Sequence, residues 1–533
     1  MVDLVLSNGS VWTGNPRRPR AEAVAVRGDR ILDVGTAAGV RKRIASGATE
    51  IDLAGGLVLP GFIDGHTHFL AGGFSLNSVQ LRDAAGREDF AARIAARARD
   101  LEAGEWIVNG EWDHQRFDPP ELPRKEWIDA AAPANPVFVH RLDQHMALAN
   151  SLALKLAGIT RDTPAPPGGE IVKDPRTGEP TGILKDAAMD LAAGRIPPPS
   201  AGENVRAAEA ALREAARHGV TSVNEMADVS SFEAFEDLDL RGKLTARIHV
   251  YLPIPRVGEF GGLKGRSSPA NPRLRLAGLK GFVDGSLGSG TALFFEPYAD
   301  DPKAFGLFQE QMFPEGIMEK RLLEADRAGL QAAVHAIGDR ANSLLLDIFE
   351  KIAAAGGPRD RRWRIEHAQH LRPGDIARFG RLGVVASVQP YHLIDDGRWA
   401  EKKIGPDRAR TTFAFRSLRD AGAVLAFGSD WTVAPLDPLA GIFAAVTRRT
   451  LDGKNPGGWI PGEKISVEDA VRAYTVNGAY AQFTEADKGS IEPGKLADMV
   501  VLGRDIFNIP AEEIAGVDVL ATVFDGKIVY RKP

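Results

Sequence analysis

The chain contains no cysteine, and that absence removes a branch of chemistry: it can build no disulfide, no thiolate nucleophile and no sulfur-ligated metal. Also missing is any apolar run near the roughly 20 residues that a membrane-spanning helix needs. The opening MVDLVLSNGSVW lacks the basic segment and apolar core of a secretory leader. The expectation is a cytoplasmic protein with no membrane partner. A surplus of either charge is lacking too: 66 basic against 71 acidic residues leave a formal net charge of -5, which offers no field for gripping nucleic acid. What remains is His, Asp, Glu and Lys chemistry in 533 residues, 44% of them hydrophobic. That is enough for a large core and too long for one simple domain.

What is present has a layout. DLVLSNGSVWTG, AEAVAVRGDRILDVG and TEIDLAGGLVLP at the start, and GSIEPGKLADMVVLG and VLATVFDGKIVY at the end, read as short strands broken by Gly and Asp-Gly turns. Residues 1–55 and 486–533 are therefore expected to meet in one small sheet domain. Between them run apolar strands each followed by a candidate helix: GLVLPGFIDGHTH (56–68), GVTSVNEM (219–226), ARIHVYL (246–252), LAGLKGFVDGS (276–286), LQAAVHAIGD (330–339), RWRIEHAQH (362–370), GVVASVQP (383–390) and AGAVLAFGSD (421–430). Strands alternating with helices make a parallel sheet. Eight such units predict an α/β fold, a closed (β/α)8 TIM barrel over 56–485, with its chemistry at the C-terminal strand ends. The interval after the first strand is far longer than a crossover helix requires, so an insertion is expected at about 75–200. It carries a hairpin signature in GGEIVKDPRTGEPTGILKD and a Pro-rich exit, IPPPS.

The polar residues at those strand ends carry the functional signal. In an extended strand His66 and His68 share a face; Lys280 lies in the fourth strand, His335 ends the fifth, His367 the sixth and Asp430 the eighth. Each has an ordinary reading by itself. A histidine at a rim is commonly hydrogen-bonded, Asp430 after Gly-Ser can cap the next helix, and a lysine in an apolar strand can reach for solvent. Six such side chains on one rim call for a cation, because buried charge is costly unless paired or coordinated.

That set, together with VHAIGDRA, RIEHAQH, SVQPYHL, FGSDWTVAPLDP and GSIEPGKLADMVVL, resembles the amidohydrolase superfamily of metal-dependent hydrolases, and within it the branch of N-substituted formamide deformylase and YtcJ-like proteins. The resemblance spans essentially the whole chain. It implies a β-sandwich made by both termini, a long insertion after barrel strand one, and a binuclear centre. His66, His68 and Asp430 would hold one metal, His335 and His367 the other, and Lys280, carboxylated on its ε-amine, would bridge them. Zinc suits imidazole and carboxylate ligands, with manganese, iron, cobalt and nickel as alternatives. The implied activity is hydrolysis of an amide, N-formyl or N-acyl C–N bond in a small molecule, with Asp430 as general base and then acid, and the implied assembly is a homodimer. The same centre would also serve ester, lactone, carbamate or organophosphate hydrolysis, and a third reading is a metal-free scaffold.

Further candidates surround this set. His392, in QPYHL, is read as a hydrogen-bond donor to the substrate oxygen or as a structural loop residue. Trp112, Asp113, Arg141 and His145 in the insertion are read as a lid, with Arg141 for a substrate carboxylate, or as a network holding the insertion together. Asp284 either orients a ligand or satisfies a glycine-rich turn, and Tyr391 and Trp431 are apolar walls or ordinary packing.

Overall fold

The computed structural model describes residues 2–42, 48–260 and 271–533. Its centre is a sheet of eight parallel strands in sequence order: Phe62–Thr67, Val220–Met226, Arg247–Pro253, Leu274–Phe282, Gln331–Ala336, Arg364–His367, Val385–Val388 and Leu425–Phe427. Strands such as Val220–Met226 are buried along their whole length, as expected of a parallel sheet covered on its outer face and filled on its inner one. Past the eighth strand the chain turns back onto the first. Asp430 N–H donates to His66 O at 2.7 Å, His68 N–H donates to Trp431 O at 2.7 Å, and Thr67 bridges Trp431 in parallel register. The sheet is thus a nearly closed barrel, drawn together at the end where the candidate ligands sit.

Local sequence starts the outer helices. Ser200 and Glu203 form a reciprocal capping box at Ala201–Arg217, Asp228 caps Val229–Leu240, and Asp437 caps Pro438–Thr447 with proline in its first turn. Phe235, Leu346, Phe379 and Ile442 from helices pack with Phe62, Ile248, Val334 and Phe427 from strands in one continuous core.

The stretch 56–68 is not one strand. Leu57–Pro60 belongs to a six-stranded sheet with Ser10–Trp12, Arg20–Ala21, Met499–Leu502, Val519–Phe524 and Lys527–Arg531, whereas Phe62–Thr67 belongs to the barrel. The change of sheet falls at Pro60-Gly61. Proline has no N–H to continue a ladder, and a Cβ on Gly61 would lie 2.2 Å from Thr221 Oγ1. The terminal strands therefore claim residues up to 60, beyond the boundary expected at 55. A four-stranded sheet of Arg30–Gly35, Ala23–Arg27, Leu4–Ser7 and Thr49–Asp52 shares a buried cluster with the six-stranded one, including Leu6, Val24, Val58, Met499 and Val523.

Residues after the first barrel strand form a separate five-stranded sheet ordered Gly169–Lys173, Pro180–Asp186, Met146–Ala149, Val137–Arg141 and Ile107–Trp112. Its first two members are the antiparallel hairpin. The segment 142–145, between two of these strands, lies over the barrel mouth. Among the described residues no helix is long and apolar enough to cross a membrane.

Candidate metal centre

Backbone geometry at two strand ends sets the site. His367, the last residue of the sixth strand, has φ 73°, and Asp430, beyond the eighth, has φ 57°. Non-glycine residues adopt this left-handed region at a cost of about 1–3 kcal/mol, which the closing hydrogen bonds around Asp430 help to hold. The outcome is convergence. Asp430 Oδ1 lies 3.5 Å from His66 Nε2 and 3.4 Å from His68 Nε2, while Asp430 Oδ2 lies 3.9 Å from His367 Nδ1 and 4.0 Å from His392 Nε2. Two groups each have their ligand atoms within 4.8 Å of one another: His66, His68 and Asp430, and His367, His392 and Asp430. The second contains His392, read from the sequence as a substrate donor, and not His335. His335 Nε2 donates instead to Gly285 O at 3.1 Å and lies 3.6 Å from Asp284, with its ring 4.5 Å from that of His367. Lys280 Nζ is 3.3 Å from His66 Nε2.

The residues fit a cation on the evidence of one oxygen. Asp430 Oδ1 is buried and has no hydrogen-bond partner, although two imidazole nitrogens face it. His66 Nδ1 is 2.5 Å from Glu366 Oε2, and Arg364 grips Glu366 from Nε at 2.7 Å and Nη2 at 3.2 Å. With its proton on Nδ1 for that carboxylate, His66 presents a lone pair at Nε2 that faces both the Lys280 amine and the lone pairs of Asp430. Lone pairs so opposed are stable around a positive ion, and an imidazole held by a carboxylate on its far side is the usual arrangement at a metal.

The electrostatics agree. Burial pushes His66 down to about 4, with the Lys280 ammonium adding to the effect. Burial and neighbouring positive charge keep His335 and His367 well below the ordinary imidazole range, so all three rings are neutral at physiological pH, the form a cation requires. Burial would raise the Asp430 carboxyl, but His66, His68 and His367 outweigh it and hold it well below its usual value. Burial lowers Lys280 to about 8.

The cavity over this centre, about 150 Å³, is bounded by His68, Lys280, His335, His367, His392 and Asp430 and roofed by residues 141–145. The structure sorts the remaining candidates. His145 lines the cavity, its Nδ1 2.6 Å from Asp186. Arg141 also lines it but has no fork to offer a substrate carboxylate: it is bonded to Asp143 at 2.6 Å, Asp113 at 3.1 Å and His114 at 3.3 Å. Asp113 stands behind it, shared with Arg398 at 3.2 Å, so these two hold the insertion to the barrel. Trp112 is not part of a lid over the cavity. It is fully buried in the insertion core with Phe90, Phe117 and Trp127, and its N–H is spent on Val139 O at 2.8 Å. Tyr391 and Trp431 lie outside the cavity lining: Tyr391 packs on the barrel core, and Trp431 meets Phe69 edge-on at 5.9 Å. Asp284 accepts N–H bonds from Leu293, Ile337 and Gly338 and so satisfies a turn while lying beside His335.

Glu366, Arg364 and Gln389 were not singled out from the sequence. Gln389 Oε1 meets His367 Nδ1 at 2.8 Å. The available signal was R-x-E in RIEH, two charges on the same face of an apolar strand, which require partners inside the barrel.

A family model described as "Amidohydrolase family" matches residues 49–530. The chain is 42% identical to Protein LONG AFTER FAR-RED 3 of Arabidopsis thaliana over 99% of its own length and 92% of that protein's. It is 33% identical to the putative amidohydrolase YtcJ of Bacillus subtilis, covering 98% of each, and 28% identical to N-substituted formamide deformylase of Arthrobacter pascens, covering 100% and 99%. Among solved structures, an uncharacterized metal-dependent hydrolase from Pyrococcus horikoshii superimposes with a TM-score of 0.77 at 28% identity, over 95% of this chain and 99% of that one. With His, Asp and Lys side chains gathered at the mouth of a parallel barrel and relatives matched over almost their full lengths, the chain belongs to the amidohydrolase family.

Proposed function

We propose that the protein hydrolyses the C–N bond of a small amide, of the N-formyl or N-acyl type, at a binuclear centre over the barrel. The observation that carries this reading is the unpartnered Asp430 Oδ1 between two imidazoles. His66, His68 and Asp430 would hold one divalent ion and His335 and His367 the other, with Lys280 between them as a carbamate formed from its free amine and carbon dioxide. Zinc is the first choice for this donor set, and bound there it would supply Lewis acidity and an acidified water.

The chain's own residues do the rest. Asp430 takes a proton from the attacking water and returns it to the leaving nitrogen, so that amide and water become carboxylic acid and amine. His392, whose Nε2 is buried and without a partner, donates to the substrate carbonyl oxygen as negative charge grows there. Glu366 and Gln389 keep the rings of His66 and His367 in place. The cavity roof excludes bulk water and strengthens these interactions. The relative named N-substituted formamide deformylase supports the bond type.

The test is a panel of N-formyl, N-acyl, ester and lactone compounds run with metal analysis. Expected are about two ions per chain, amide turnover, loss on chelation and recovery on metal return. Full activity in metal-free protein, or turnover confined to esters, overturns the proposal.

A further inference from the structure

The barrel mouth is divided. Phe282, the last residue of the fourth strand, and Lys280, two residues before it, stand between two cavities. One is the chamber of about 150 Å³ under the insertion. The other, about 410 Å³, opens over the ends of the first four strands, bounded by Leu70 and Phe74 of the helix after strand one, Met226, Pro253 and Phe282. His68, Lys280 and Phe282 line both, so the reactive centre lies where the two meet.

Their walls differ in their carboxylates and in the size of their apolar residues. The chamber under the insertion carries Asp143, Asp395 and Asp396 beside Leu142, Leu287 and Val433. The larger cavity sets Leu70, Phe74, Met226, Pro253 and Phe282 beside the polar Ser230, Ser231 and Gln311, and its two carboxylates are occupied: Glu225 accepts from the backbone N–H groups of Phe69 and Leu70, and Asp228 caps a helix through Ser231 N–H at 3.0 Å. Asn204, whose buried Oδ1 has no hydrogen-bond partner, is also among its lining residues.

We infer that the larger cavity is the pocket for the acyl part of the substrate, and that the substrates are amides joining a medium-length apolar acid to a compact amine. This rests on the hydrolytic reading above and deepens it. The orientation follows from Asp430. Asp430 and His392 line only the chamber under the insertion, and the leaving nitrogen has to come within hydrogen-bond reach of Asp430 to receive its proton. The amine side therefore occupies that chamber. The substituent on the carbonyl carbon then runs the other way, across Phe282 and onto Leu70, Phe74 and Met226, where each buried methylene adds binding.

The test compares the ethylamides of acetic, hexanoic and decanoic acids on the metal-loaded enzyme, alongside Ala71→Trp. Ala71 lines the cavity from an exposed position on its helix, where a large side chain fills space without entering the core. The expected result is a kcat/KM at least tenfold higher for hexanoyl than for acetyl, with that ratio falling at least tenfold in Ala71→Trp. A flat acyl series, or a ratio unmoved by the substitution, overturns the inference while leaving amide hydrolysis intact. If none of the amides is hydrolysed, the hydrolytic reading fails separately and calorimetric titration with hexanamide decides the pocket. Saturable binding weakened about tenfold by Ala71→Trp supports it; equal binding in both proteins, or none, overturns it.

Discussion

The two ends of the barrel both bury charge, and they treat it in opposite ways. At the floor, Arg247 begins the third strand and is 1% exposed, yet every arm has a partner: Asp498 at 2.6 and 2.9 Å, Pro272 O at 3.3 Å, and Asp525, whose second oxygen accepts from Arg273 at 2.7 Å. Lys488 is likewise bonded to Ser222 Oγ at 2.6 Å. These bonds tie the barrel to the C-terminal strands. At the mouth, Asp430 Oδ1 and His392 Nε2 have no partner, and Asp430 and the neighbouring His367 sit in left-handed backbone. A satisfied charge network serves the fold; an unsatisfied one, held in place at a cost, is reserved for something that binds.

Exchanging the charges at each end should separate the two roles. The largest effect is expected from Asp430→Asn, with hydrolysis falling about 10³-fold or more and bound metal dropping, while the melting temperature of the metal-free protein holds, since no internal hydrogen bond to Oδ1 is lost. Kinetics, metal analysis and melting read the three. Asp498→Ala should do the reverse: it removes the two-pronged partner of the Arg247 guanidinium, leaving Asp525 and Pro272 O, and costs about 2–3 kcal/mol of stability in denaturant titration, with metal affinity of the folded protein unchanged. Loss of metal at the floor, or of stability at the mouth, would break the comparison. Glu366→Gln is intermediate, because Glu366 belongs to a satisfied network with Arg364 and Ser387 and also touches His66. Metal affinity by chelator competition should weaken about 10–100-fold.

The same contrast explains what was legible in the sequence. His66, His68, His335, His367 and Asp430 stand out because each is a polar residue at the end of an apolar run, a local pattern. Glu366 did not, because its meaning depends on His66, 300 positions away. Arg141 looked available for a substrate because its partners are invisible locally: Asp113 is itself shared with Arg398, 285 positions on. Trp112 lies away from the lid for a related reason, since alternation along a strand tells which residues share a face but not which face a second sheet covers. The Pro60-Gly61 break was written in residue types that end a ladder, and the apolar run across it concealed the change of sheet.

The comparison needs one refinement, which His370 supplies. It lies beyond the sixth strand, 2% exposed, with Nδ1 bonded to Thr412 Oγ1 at 2.8 Å and Nε2 unpartnered, yet its neighbour is the ring of Phe294 at 5.3 Å rather than a carboxylate. Burial, and then Arg408, push it down to about 3. An isolated neutral nitrogen of this kind reserves nothing; it only refuses a proton. In the unfolded chain it titrates near 6.5, so below that pH the unfolded state binds the extra proton and stability falls with falling pH. Its contribution is complete above about 6.5 and is lost as pH drops toward 3. Between pH 7.5 and pH 5 this one site accounts for about 2 kcal/mol, and His370→Asn, which keeps an acceptor for Thr412, should shrink the loss in denaturant stability by that amount. Metal saturation gives the sharper reading, because the mouth histidines resist acid more strongly once coordinated whereas the share belonging to His370 stays where it was. An orphaned atom marks a binding site only where opposing charges surround it, and a metal-sensitive His370 share would show that burial alone had been mistaken for the cause.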